Sequence, residues 1–97
     1  MLHRVRHGER TALPSLLIVH GLFGSARNWG AIAKRLSDSR LVVTVDMRNH
    51  GASPFADSHS YAEMARDLAE VIEAEGAPMD VVGHSMGGKA AMVLALT

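Results

Sequence analysis

Gly83-His84-Ser85-Met86-Gly87 decides how this chain folds. It follows the apolar run Met79-Asp80-Val81-Val82 and leads into Lys89-Ala90-Ala91-Met92-Val93-Leu94-Ala95-Leu96, which reads as a helix. A serine with glycine two positions away on each side, between strand and helix, matches the G-x-S-x-G nucleophile elbow. So sharp a turn forces the central residue into a sparsely allowed backbone conformation and leaves no room for neighbouring side chains, which favours Gly83 and Gly87. The Ser85 hydroxyl is then lifted clear of the sheet. It stands at a helix N-terminus, where free N–H groups favour developing negative charge. A glycine-rich turn that merely caps a helix would carry the same five letters, so the flanking elements matter.

Working back along the chain, Leu41-Val42-Val43-Thr44-Val45 and Leu16-Leu17-Ile18-Val19 are continuous apolar runs of the kind that suit strands buried on both faces. Trp29 to Leu36 reads as a short helix with Trp29, Ile32, Ala33 and Leu36 on one stripe. Ser60-Tyr61-Ala62-Glu63 has capping-box spacing, so a second helix starts there. Tyr61, Met64, Leu68, Val71 and Ile72 give its apolar face, and Gly76 followed by Pro78 ends it. A short strand is expected before Pro14. Alternation of strand and helix implies an α/β fold, a parallel sheet with helices on both faces and right-handed crossovers. Ligands of such sheets bind beyond the carboxyl ends of the strands. Three informative loops fall there: His20 to Ser25, Asp46 to Ser58, and Gly83 to Gly87.

In His20-Gly21-Leu22-Phe23-Gly24, two glycines let backbone N–H groups turn inward. In an acyl-transfer reading, one of these amides and that of Met86 form the oxyanion hole. The plainer alternative is an ordinary turn. His20 is expected to be structural, bonding its own loop. Arg48 is expected to pair with Asp46 or with loop carbonyls, or to be solvated. His50 is a weak candidate for a stand-in base, and His84 should point away from the nucleophile. Met64, Met79 and Met92 sit at positions expected to be core.

With 97 residues the chain is one small domain at most. Zero formal net charge removes any general electrostatic pull toward nucleic acid or an anionic membrane. The absence of cysteine excludes a disulfide framework, a thiol nucleophile and a cysteine metal site, and agrees with a cytoplasmic setting. The histidines lack metal-ligand spacing, so no metal is expected. No apolar stretch approaches the roughly 20 residues that span a bilayer, and the first nine residues lack the apolar core of a secretory signal.

Taken together, Val19 to Ser25, Val45 to Pro54 and Val82 to Met92 resemble the α/β-hydrolase superfamily, and within it the YbfF-like esterase group. The resemblance implies a serine hydrolase acting on small-molecule esters or thioesters, without a cofactor. It implies Ser85 as nucleophile, with Leu22 and Met86 as oxyanion N–H donors and Phe23 as the nearest substitute for Leu22. His20, Gly21, Arg48, Gly83, His84 and Gly87 would support the site. Serine at the elbow argues against the dehalogenases and epoxide hydrolases of the superfamily, which carry aspartate there. Members place the acid and then the histidine after the nucleophile. No acidic residue and no histidine follows Ser85 here. Residues 1–97 are therefore expected to be the N-terminal portion of a single α/β-hydrolase domain whose C-terminal part is absent, and to be inactive in isolation. Two other readings stay open: a non-catalytic module binding a small molecule or a protein, and different chemistry on the same fold, such as carbon–carbon bond hydrolysis or cofactor-free haloperoxidation.

Overall fold

The computed structural model describes residues 1–22, 24–56, 59–76 and 78–96. Its strands are β1 (Arg4–His7), β2 (Ser15–Val19), β3 (Val42–Val45) and β4 (Met79–Gly83). Its α-helices are α1 (Gly30–Leu36), α2 (Tyr61–Glu75) and α3 (Met86–Ala95). A 3-10 turn, Ala26–Trp29, precedes α1, so the helix expected from Trp29 begins one residue later and is entered through a tighter turn. The sheet order is β1-β3-β2-β4. β2 runs parallel to both β3 and β4, and β1 is antiparallel at the edge.

Because successive side chains of a strand point to opposite faces, the apolar runs divide between two layers. Leu17, Val19, Val43 and Val45 pack with Met64, Leu68 and Val71 of α2 and with Met86 and Ala90 of α3. Leu16, Ile18 and Val42 pack with Ala33 of α1 and with Trp29. Strands buried on both sides have no polar face to show, which is why they read as unbroken hydrophobic runs. Each fully buried Leu or Val contributes roughly 1.5–3 kcal/mol through removal of apolar surface from water.

α2 is fixed at both ends. The Ser60 side chain accepts the Glu63 N–H at 3.2 Å. Gly76, in the left-handed region at φ 79°, closes the C-terminus with its N–H directed at the Ile72 and Glu73 carbonyls. Glu75, buried in the last turn, pairs with Arg4 at 2.9 Å and Arg6 at 3.3 Å, which binds α2 to β1.

The apolar stripes extend beyond the buried faces of their helices. Met92 is 61% exposed, against the core position expected of it; Ile32, Leu36 and Tyr61 are also exposed. Met92 lies on the flank of α3 beside β4, together with Ala91, Ala95, Met79 and Val81 around a shallow groove. Among the described residues β4 pairs only with β2, and Val82 is 45% exposed. These residues have the chemistry of a core and lack a layer to cover them.

An unpaired apolar edge is a template for further strand pairing. Expressed as a 97-residue polypeptide, the chain should self-associate with increasing concentration, and Val82→Lys should reduce this. Light scattering across a dilution series reads the effect. A monomeric chain with a single cooperative melting transition would contradict it.

Candidate active site

Ser85 sits between the end of β4 and the first residue of α3, with φ 53° and ψ −112°. Positive φ is uncommon for a residue with a Cβ and marks a strained turn. The residue is exposed, and its hydroxyl makes no hydrogen bond among the described residues. The two flanking glycines answer to different contacts. A Cβ on Gly83 would lie 2.6 Å from the Gly87 carbonyl oxygen, so it would clash within the elbow. A Cβ on Gly87 would lie 2.4 Å from the Val19 carbonyl oxygen and 2.5 Å from that of His20, so it would drive the helix off the end of β2. The His84 N–H donates to the Val19 carbonyl at 3.0 Å and carries the β2–β4 pairing to the turn itself. Met86 opens α3, so its N–H has no acceptor within the helix.

The loop after β2 lies directly against this elbow. A Cβ on Gly21 would come within 2.9 Å of His84 Nδ1 and 3.4 Å of the Ser85 Cβ. A tight turn follows, with the Gly24 N–H donating to the Gly21 carbonyl at 3.0 Å. Leu22 is at its outer corner with its side chain exposed; Phe23 lies outside the described residues. Asn28 accepts the Ser25 N–H at 2.8 Å, which starts the 3-10 turn.

His20 is buried at the root of this loop. Its Nε2 accepts the Met47 N–H at 2.9 Å. Its Nδ1 is 2.7 Å from the Gly21 carbonyl. Together these fix a neutral ring with the proton on Nδ1. Burial lowers its pKa, the Gly21 carbonyl opposes that shift, and neighbouring His50 adds to it. His20 therefore spans two loops and is not free to act as a base.

In the loop after β3, Arg48 has partners on α2. Its guanidinium does not pair with Asp46. It forms a fork with Asp67 of α2, at 2.6 and 3.0 Å, and reaches Glu63 at 3.0 Å. The hydrogen bonds to Asp67 hold Arg48 above its ordinary pKa. The Asp46 carboxylate is already engaged by the N–H groups of Ala26 at 2.8 Å and Ala52 at 3.0 Å. His50 turns into its own loop, with Nδ1 2.9 Å from the Arg48 carbonyl and its ring 5.1 Å from that of His20. The His59 ring lies beyond it, tilted, with centres 5.8 Å apart, and its Nε2 is 3.4 Å from the Met86 sulfur. Nothing in the sequence pattern flagged His59 or Asp67, because each acts across a long stretch of chain.

The His84 ring lies beside Trp29, with ring centres 6.0 Å apart, and lines the same cleft as Ser85. That cleft, of about 410 Å³, is bounded by Leu22, Asn28, Trp29, Ile32, His84 and Ser85. Its walls are largely apolar, with the serine on one side. Among the described residues no three His, Asp or Glu side chains converge as a metal site, and no helix is long and apolar enough to cross a membrane.

Comparison with known proteins bears on the family and the fold. The model of the alpha/beta hydrolase family matches residues 16–97. The sn-1-specific diacylglycerol lipase ABHD11 of Mus musculus is 48% identical over 92 residues, covering 92% of this chain and 30% of that protein. Esterase YbfF of Escherichia coli is 45% identical over 80 residues, covering 81% and 32% respectively. Among solved structures, a marine microorganism esterase superposes with a TM-score of 0.89 at 43% identity, over 97% of this chain and 36% of its own. The chain thus spans about a third of the length of these relatives.

Because its folded-state pKa is lowered, His20 contributes stability that is present above the ordinary histidine value and is lost as pH falls through the lowered one. Denaturant midpoints of the protein should therefore drop on acidification. His20→Gln should be less stable at neutral pH and lose less on acidification. Parallel pH profiles for the two proteins would show that His20 is not the responsible group.

Proposed function

Since the chain belongs to the alpha/beta hydrolase family, we propose that it carries the nucleophile of a serine esterase that cleaves carboxylic esters or thioesters through an acyl-enzyme. The observation that carries this reading is the backbone of Ser85, held at φ 53° between two glycines with its hydroxyl exposed at the start of α3. A turn that only capped the helix would gain nothing from this strain, and the side chain makes no capping bond.

In this mechanism Ser85 Oγ attacks the substrate carbonyl carbon as its proton passes to a base. The carbonyl oxygen becomes an oxyanion and accepts hydrogen bonds from the N–H groups of Leu22 and Met86. The tetrahedral intermediate collapses, the alcohol or thiol leaves with a proton, and the acyl group remains on Ser85. Water then attacks the acyl carbon, the bond to Ser85 Oγ breaks, the carboxylic acid leaves and Oγ regains its proton. Each oxyanion donor contributes on the order of 10²–10³ in rate. Esterase and lipase names among the relatives support a small-molecule ester as substrate. The apolar cleft beside Ser85 suits its hydrocarbon part.

A serine hydroxyl is a weak nucleophile without a base. His20 is committed to two loop bonds and His50 is turned toward the Arg48 carbonyl. We therefore place the acid and base in sequence after Thr97, in the family order of serine, acid and histidine. Residues 1–97 then form the N-terminal portion of one hydrolase domain.

A fluorophosphonate probe tests the assignment. The natural full-length protein should be labelled and Ser85→Ala should not. Residues 1–97 alone should label far more slowly and show no ester turnover. Labelling that survives Ser85→Ala would remove Ser85 from this role.

A further inference from the structure

Building on the acyl-transfer reading, we infer that Asp46 is a positioning residue for the oxyanion donors, and that Arg48, gripped by Asp67, keeps it in register. The loop between β2 and the 3-10 turn is held at two points, and both holds come from consecutive residues at the end of β3. Upstream, the Met47 N–H donates to His20 Nε2 at 2.9 Å, and the same ring bonds the Gly21 carbonyl at 2.7 Å. Downstream, Asp46 Oδ1 accepts the Ala26 N–H at 2.8 Å. Leu22 lies between these anchors. Its amide can present a hydrogen to the Ser85 side only while both ends stay in place.

The carboxylate also organises its own loop. Oδ2 accepts the Ala52 N–H at 3.0 Å and draws residues 46–52 into a ring. Gly51 lies at φ 52° against the carboxylate, where an added Cβ would fall 2.4 Å from Asp46 Cγ. The Ser53 hydroxyl donates to the Asp46 carbonyl and accepts the His3 N–H at 2.8 Å. Arg48 projects from this ring to Asp67 and Glu63. Hydrogen bonds thus tie Arg48 to the α2 surface and Asp46 to the oxyanion loop, and the short backbone of residues 46–48 joins the two. Asp46 is buried and absent from the walls of the cleft beside Ser85, so it acts through the loop and not on substrate.

A carboxylate suits this position because two N–H groups converge on it. Asparagine has the same shape but offers its NH₂ to one of them, leaving two donors face to face. A displaced oxyanion donor of this kind slows chemistry without emptying the binding cleft.

The test uses the natural full-length protein and its Asp46→Asn and Asp67→Asn variants. Fluorophosphonate labelling of Ser85 should slow by roughly 10-fold to 100-fold in Asp46→Asn, and by less in Asp67→Asn. KM for an ester should stay near its parental value while kcat falls. Amide exchange resolved to single residues should quicken at Leu22 and Ala26 and remain unchanged within β2 and α3. Asp67→Glu should restore part of the rate. Exchange raised throughout the sheet, with parental labelling per folded molecule, would make Asp46 a stability residue only and overturn the proposal. Parental labelling and parental Ala26 exchange in both variants would overturn it as well. Should Asp46→Asn fail to fold, Asp67→Asn on the surface of α2 decides by the same measurements. Ser85→Ala is the separate control: if it still labels, the nucleophile assignment falls, and the exchange data alone then decide whether Asp46 fixes the loop.

Discussion

The seating of α3 on the end of β2 governs everything else in this molecule. At Gly87 the helix backbone comes so close to the Val19 and His20 carbonyls that any Cβ would occupy the same space. That approach brings the elbow down onto the sheet, and Ser85 takes up the resulting strain at φ 53°. It also places the first N–H groups of α3 beside the loop that leaves β2. A bulkier residue at position 87 would lift the helix, relax the serine and separate the two sets of amides together. Strand pairing, helix burial and the candidate chemistry therefore share one steric condition.

Around that contact the site is built from loops whose fixed parts are polar and buried. Backbone groups deprived of water must find partners. Here the partners are side chains placed immediately after strands: His20 after β2 and Asp46 after β3. Each binds the backbone of the other's loop, so the loops at the carboxyl ends of the parallel strands behave as one body. A two-point ion pair lies one step further out, where Arg48 grips Asp67. Burial keeps His20 neutral, so its acceptor nitrogen stays available to Met47.

Much of this could be read from the chain before its structure. The elbow was legible because its glycines answer to local sterics, and the strands because burial on both faces leaves only apolar residues. The capping of α2 by Ser60 and its stop at Gly76 were legible for the same local reason. What escaped was tertiary. Arg48 has two carboxylates within reach on a helix that begins more than ten residues later, and pattern alone does not choose them over Asp46. The role of Asp46 left one faint sign, a glycine five residues on that must adopt positive φ to clear it. Met92 was misread because a helical stripe reports what a face is made of and not whether another layer covers it. Leu36 and Ile32 were misread in the same way.

The most direct test of the account is a crystal structure of the natural full-length protein with a phosphonate bound covalently to Ser85. The phosphoryl oxygen is predicted to lie within about 2.7–3.1 Å of the Leu22 and Met86 amide nitrogens, with Ser85 still at positive φ. An adduct whose oxygen faces solvent, or an elbow that has relaxed to an ordinary helical turn, would contradict the claim that strain at this corner aims the nucleophile at a prepared anion site.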